Sequence, residues 1–266
     1  MANNQDYQFR EVFLEPIRKC LDYEPAFGQG RGAGMSYAGF QQLYGGDPFY
    51  AWLGLDAPSV YAAHKAAGGL TSVYRQIGIG SERLFRAALA ASFELSEQQM
   101  AWSYEYQKPD GKTGRHTLDA HVALSDLSAA SAKRVETWLT QSVVAVRGDA
   151  RSAGRLRGVV FEVRQGYKSA DSKRQNADLR YGVRAYQAGL LPAFGIMSSQ
   201  VSQPVLERYR NDGMLVLTGT NSNEPTTSTF AFFKHVVGYD LGDFFERNSI
   251  PLKAEIRAVI DKLLEP

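Results

Sequence analysis

Cysteine is almost absent from this chain of 266 residues, and the single example is Cys20. One cysteine excludes an internal disulfide and a cysteine-based zinc cluster, and it agrees with a reducing cytoplasm. Long apolar runs are missing as well: no segment approaches about 18 uninterrupted apolar residues, so we expect no membrane-spanning helix. The polar stretch 1–10 lacks the apolar core of a secretion signal. The absences predict a soluble, cytoplasmic protein without a membrane partner.

Three chemical classes lose support because their motifs are missing. No Gly-Xaa-Ser-Xaa-Gly elbow supports serine hydrolase chemistry, and the four histidines do not have the spacing of a zinc peptidase. The glycine-rich segment 28–34 is not closed by Gly-Lys-Ser or Gly-Lys-Thr, so it is not a phosphate-binding P-loop. We interpret it as a surface loop, with contact to a phosphate backbone as the alternative.

Excess charge of one sign is also missing. The net charge is +2 and the isoelectric point is near 8.5, values that permit a nucleic-acid partner without indicating one. The hydrophobic content of 44% is that of an ordinary globular protein, long enough to bury a substantial core. We expect one domain over 1–266, with a helical N-terminal part (1–98), a catalytic core (99–240) and C-terminal helices (241–266).

The N-terminal part shows helical spacing of its apolar residues. We predict helices over 8–23, over 36–43 with Ser36 as the N-cap, and over 58–76. A further helix is predicted to begin at Ser81, which would place Glu82 in its first turn, where the helix dipole favours a negative charge.

The core alternates between periods of two and of 3.6 residues. We predict a hairpin of strands at about 102–106 and 115–124, further strands at 158–164, 191–197 and 214–217, and helices at 128–146, 172–189 and 203–211. This order predicts an α/β fold, a central mixed sheet flanked by helices.

An acid in the middle of an apolar strand is the most informative local feature. Glu162 lies within the run 159–163, where a buried carboxylate costs several kcal/mol unless its charge is compensated. Adjacent strands lie about 4.8 Å apart, so Asp119 on the second hairpin strand can share a divalent cation with Glu162. Arg164 points to the same side as Glu162 by the period of two. A structural ion pair is the alternative for Glu162.

Two acids and a cation around one phosphate are what metal-assisted hydrolysis of a phosphodiester requires. The pattern Asp119…Glu162-Xaa-Arg164 resembles a variant of the PD-(D/E)XK nuclease core. Longer strings within most of residues 20–250 resemble the ApaLI-like type II restriction endonucleases: 161–169 with 171–178, 74–80, 217–220, 238–241 and 244–249.

The resemblance implies a restriction-endonuclease-like core in a prokaryotic homodimer that cuts palindromic double-stranded DNA with Mg²⁺. The recognition site would be GTGCAC if specificity follows the family's namesake. Asp119 and Glu162 would be the metal ligands, and Arg164 would stand in place of the family's catalytic lysine. Because arginine is a poor proton-transfer group, Lys168 is the alternative for assisting the attacking water. Leu118 replaces the proline of the motif.

Further site residues are predicted with a plain structural role as the alternative, which is a charge in the first turn of a helix for Glu82 and a surface position for the others. Gln175 would orient the water or a phosphate, and Glu82 would add a third carboxylate near the metal. His121, two residues after Asp119, would share its strand face. Lys173 would contact phosphates, and several polar side chains would read bases: Arg75, Gln76, Ser199, Gln200, Gln203, Asn221 and Asn223.

The sequence therefore predicts a Mg²⁺-dependent, site-specific type II deoxyribonuclease. One alternative is a structure-specific or modification-dependent nuclease with the same core. The other, from a different class, is a non-catalytic DNA-binding protein on a decayed nuclease core, which the arginine at position 164 makes conceivable.

Overall fold

A computed structural model describes residues 4–27, 34–108, 110–166 and 172–265, with the backbone alone for residues 150 and 172–175. The chain forms two compact units, one of Met1–Gly80 with Arg247–Pro266 and the other of Ser81–Glu246. Among the helices described, none combines the length and the apolar character needed to cross a membrane.

The described part of the first unit is built from helices. Its elements include α1 (Asn4–Arg18), α2 (Tyr37–Gly45), α3 (Pro48–Trp52), the first part of α4 (Pro58–Phe93) and α10 (Ser249–Leu264). The apolar stripe of α1 is buried as its spacing predicts. The predicted cap of α2 is confirmed, because the Ser36 hydroxyl accepts a hydrogen bond from the Gly39 N–H.

The predicted break before residue 81 is wrong, since α4 runs without interruption from Pro58 to Phe93. A Cβ atom at position 80 would lie 2.3 Å from the Phe13 carbonyl oxygen. Glycine at position 80 therefore lets α4 approach α1 closely, and this packing offsets its weak helix propensity of about 1 kcal/mol. Ser81 is a buried residue inside the helix, and Glu82 lies far from its first turn.

The second unit contains the sheets. Its strands include β1 (Trp102–Gln107), β2 (Thr113–Leu118), β3 (Ala120–Ala123), β4 (Gly158–Arg164), β5 (Leu190–Ile196) and β6 (Leu215–Leu217). β1 and β2 form an antiparallel hairpin, and the other four form a sheet of order β3-β4-β5-β6. β3 runs antiparallel to β4, whereas β4, β5 and β6 are parallel, so the sheet is mixed as predicted.

Helices cover both faces of this sheet, which confirms the α/β prediction. The flanking elements include α5 (Ala129–Arg147), α6 (Ser172–Gln187), α7 (Gln203–Asn211) and α8 (Thr229–Phe232), with α9 (Leu241–Arg247) following. Tyr181 of α6 and Tyr209 of α7 pack with Phe194 on one face. On the other face, Phe161 meets the rings of Trp138 and Phe232.

Candidate functional site

Asp119 interrupts the strand that the sequence predicts as continuous from 115 to 124. Its N–H donates to the Phe161 carbonyl (3.1 Å), while its Oδ2 accepts the Val163 N–H at 2.6 Å. The side chain thus satisfies a backbone donor of β4 that a regular neighbouring strand would satisfy with a carbonyl. The bond divides the strand into β2 and β3 and fixes the carboxylate against β4.

The Asp119 carboxyl is in an unfavourable place for a negative charge. Burial, followed by the charges of Glu162 and Glu82, raises the pKa of Asp119 to about 8, against the lowering effects of the Val163 N–H and of Arg164. Burial also raises the pKa of Glu82, while Arg86 and Arg83 oppose that rise. The carboxyl groups of Glu162 and Glu82 therefore both interact electrostatically with that of Asp119.

Glu82 of α4 lies close enough to Asp119 for its charge to raise the pKa of that carboxyl. Four residues after Glu82 on the same helix, the Arg86 guanidinium donates to the backbone carbonyl of Asp119 and also to the carboxylate of Glu97. Residues four apart lie on the same face of a helix, so Glu82 is turned toward the same strand end as Arg86. A role in capping a helix, the plain alternative for Glu82, is excluded by its position within α4.

Glu162 and Arg164 lie on the same face of β4, as the period of two predicts. Arg164 Nη2 is 3.2 Å from Glu162 Oε1, and His116 Nε2 is 4.0 Å from Glu162 Oε2. The Glu162 side chain is 17% exposed, whereas that of Arg164 is 6% exposed and lies over the Phe194 ring at 5.3 Å. Glu162 thus borders solvent, and the charge that faces it is buried.

Asp178 is a member of the site that sequence reasoning missed. Its Oδ1 lies 2.8 Å from Arg164 Nη2, and its Oδ2 accepts the Tyr209 hydroxyl at 2.5 Å. Asp178 is buried on the same stripe of α6 as Tyr181 and Ala185. The sequence signal that could have revealed Asp178 is an acid at a position that shares a helix face with Tyr181 and Ala185. A carboxylate buried there needs a cationic partner.

The loops after the parallel strands meet at the edge of the sheet where Arg164 ends β4. The Ser198 N–H donates to the Gln165 carbonyl (2.8 Å), and the Gly219 N–H donates to the Ser198 carbonyl (3.2 Å). The loop after β5 and the start of α7 hold Ser199, Gln200 and Gln203, and the loop after β6 holds Asn221 and Asn223. These predicted base-reading residues therefore lie in segments that leave the sheet at the edge where β4 ends.

The remaining predicted residues are outside the described part of the chain, belong to the first unit, or bond to another part of the second unit. Lys168 falls outside the described residues, as do the side chains of Lys173 and Gln175. Arg75 and Gln76 belong to the first unit. His121 bonds through Nδ1 to the Gln99 carbonyl (3.0 Å) and lines a cavity.

Within the described residues, no group of three or more His, Cys, Asp or Glu side chains is arranged to hold a metal ion. A magnesium ion does not require such a group. It takes one or two carboxylates and fills its remaining positions with water and substrate oxygens. Asp119 and Glu162, on adjoining strand segments, supply that smaller donor set.

Comparison with protein-family models, curated proteins and solved structures gave no match to this chain. The resemblance to the ApaLI-like endonucleases therefore stays a prediction from the sequence.

Proposed function

We propose that the second unit is the catalytic core of a Mg²⁺-dependent nuclease of the PD-(D/E)XK type, acting as a type II restriction endonuclease on double-stranded DNA in a prokaryotic cytoplasm. The observation that carries the proposal is the pairing of Asp119 with Glu162. Two carboxylates from adjoining strand segments share one electrostatic environment, next to a buried arginine and to polar loops.

The donor chemistry of this site fits a magnesium ion. Carboxylate oxygens are the hard ligands that Mg²⁺ prefers, and repulsion from Glu162 and Glu82 adds to the effect of burial in raising the pKa of Asp119. A divalent cation held by Asp119 and Glu162, with Glu82 nearby, would remove that repulsion. When bound, Mg²⁺ would neutralise charge on the phosphate and lower the pKa of a bound water.

The chain's own residues position this donor set. The Val163 N–H fixes the Asp119 carboxylate, and the Arg164 guanidinium fixes that of Glu162. Arg164 is itself fixed by Asp178, so it acts as a permanent positive charge with a set direction. Proton transfer at the attacking water is left to another group, for which Lys168 is the sequence candidate.

DNA recognition is assigned to the loops at the carboxyl edge of the parallel strands. Hydroxyl and amide side chains such as Ser199, Gln200 and Asn221 are suited to the donors and acceptors of base edges in the major groove. A palindromic site, GTGCAC if it follows the family's namesake, would be read by a two-fold homodimer.

The first test is cleavage of phage or plasmid DNA in the presence of Mg²⁺. We expect discrete fragments from the wild type and none from Asp119→Asn or Glu162→Gln. Glu136→Gln, an exposed acid on α5, is the matched control and should cut normally. Equal cutting by all four proteins would refute the assignment of the site, and smeared products would indicate a nuclease without sequence specificity.

The second test measures metal binding directly by calorimetry with Mg²⁺ or Mn²⁺. Protons compete with the metal for Asp119, whose pKa is raised to about 8, so affinity should rise between about pH 6 and about pH 8. The rise should be absent in Asp119→Asn. Metal binding that is unchanged in Asp119→Asn and Glu162→Gln would contradict the proposal even if some cutting is seen.

One observation favours a second candidate, a non-catalytic DNA-binding protein. Arg164 is held between Glu162 and Asp178, as in a structural ion network. In that case the protein would bind duplex DNA without cutting it, and Glu162→Gln would leave DNA binding unchanged. Electrophoretic mobility shifts run beside the cleavage assay separate the two candidates.

A further inference from the structure

A basic cavity lies at the opposite edge of the sheet, where β4 and β5 begin. It has a volume of about 410 Å³, and three arginines contribute to its walls, Arg147, Arg155 and Arg157. The Arg157 N–H donates to the Gly189 carbonyl at 2.7 Å, which places the cavity beside the amino ends of the two parallel strands. Ser152, Tyr186 and Gln187 supply further polar groups.

Positive charge is concentrated around this cavity. The segment 147–157 contains four arginines and one acid, Asp149, in a chain whose net charge is only +2. The Asp149 carboxylate accepts the Arg151 N–H within its own turn, and no acid is present among the described residues that line the cavity. Guanidinium groups that line one cavity repel one another, and an anion bound between them reverses that cost.

Specific contacts hold the side chains of two of these arginines in position. Arg147 stacks on the Tyr186 ring at 3.9 Å, and Arg157 donates through Nη2 to the Ala188 carbonyl at 2.8 Å. A Cβ atom at position 189 would lie 3.1 Å from Arg157 Nε, and one at position 213 would lie 3.1 Å from Arg147 Nε. Both positions are glycines with positive φ, so the backbone leaves room for each guanidinium.

We propose that this cavity binds a phosphate group, either of a free nucleotide or of a nucleic-acid backbone. The planar fork of arginine matches phosphate oxygens in pairs, and each guanidinium carries five N–H donors, so Arg157 retains donors beyond its bond to Ala188. Gly158, the residue after Arg157 of the cavity wall, and Glu162 are four residues apart, about 13 Å along the strand. The phosphate held here is therefore distinct from one at the carboxylates, and the inference does not depend on nuclease activity.

The test compares Arg155→Gln with Arg151→Gln. Both residues lie in the same short 3-10 helix, Ala150–Arg155, but only Arg155 lines the cavity. Calorimetry with pyrophosphate, in EDTA to prevent metal effects, should show an affinity about tenfold lower for Arg155→Gln and unchanged for Arg151→Gln. Arg155→Lys keeps the positive charge without the planar guanidinium, so its affinity should lie between those of Arg155→Gln and the wild type. Thermal melts of each variant establish that it is folded.

Titration with a short duplex DNA, also in EDTA, separates the two sources of phosphate. A weaker DNA affinity with a smaller salt dependence in Arg155→Gln assigns the site to the nucleic-acid backbone. An unchanged DNA affinity beside weakened pyrophosphate binding assigns it to a free nucleotide. The proposal is overturned if neither probe distinguishes Arg155→Gln from Arg151→Gln.

Discussion

The two faces of strand β4 differ although their residues alternate along seven positions of one chain segment. On one face, Phe161 is fully buried against the rings of Phe85, Trp138 and Phe232. On the other face, Val160 belongs to the apolar core. The next two residues on that face, Glu162 and Arg164, form an ion network with Asp178. One face serves stability alone, whereas the other tolerates charge because a partner is buried with it.

The largest effect is expected on the aromatic face. Phe161→Ala should destabilise the fold by about 4 kcal/mol, because it leaves a cavity among three rings that cannot close around it. Urea unfolding followed by circular dichroism measures this loss. Val183→Ala, at a 60% exposed position of α6, is the control and should change little. A loss below about 1 kcal/mol for Phe161→Ala would show that the aromatic layer is not tightly packed.

The next effect concerns the charged face. Asp178→Ala removes a buried carboxylate that pairs with the buried Arg164, so we expect a loss of about 3 kcal/mol in unfolding free energy. Glu162→Gln should cost less than about 1 kcal/mol, because Arg164 keeps Asp178 and the Glu162 side chain borders solvent. Equal losses in the two variants would mean that Glu162 and Asp178 contribute equally to holding the arginine.

Asp119→Asn should stabilise the metal-free protein at alkaline pH. The folded pKa of about 8 lies above the ordinary unfolded value of about 3.9, so the folded state binds the proton more tightly and loses stability as pH rises between these values. The asparagine removes that loss, so the gain in stability should be largest above pH 8, and its amide oxygen can still accept the Val163 N–H. The gain should vanish near pH 4. Melting curves of both proteins across this range, in EDTA, check the sign.

The smallest effect is expected at Tyr209. Tyr209→Phe removes the hydroxyl that donates to Asp178, and it should cost about 1 kcal/mol while the aromatic contact with Phe194 persists. Tyr7→Phe at an exposed position of α1 is the matched control. If Tyr209→Phe is neutral, the Asp178 carboxylate is held by Arg164 without help from α7.

Much of the architecture follows from local patterns. The apolar run predicted β4, the period of two predicted the shared face of Glu162 and Arg164, and a helix was predicted at the position of α7. Two expectations failed for tertiary reasons. The continuity of α4 depends on the close approach of Gly80 to Phe13, and the interruption of the second hairpin strand depends on the bond from the Val163 N–H to Asp119.

The sequence by itself determined which residues carry charge inside an apolar strand and which strand faces they occupy, because side-chain direction follows the local period of the backbone. Only the tertiary structure decided which groups compensate that charge. Asp178 of α6 pairs with Arg164, and Tyr209 of α7 donates a hydrogen bond to Asp178. These partners are distant in sequence, and the fold brings them together because a buried charge must be paired where it lies.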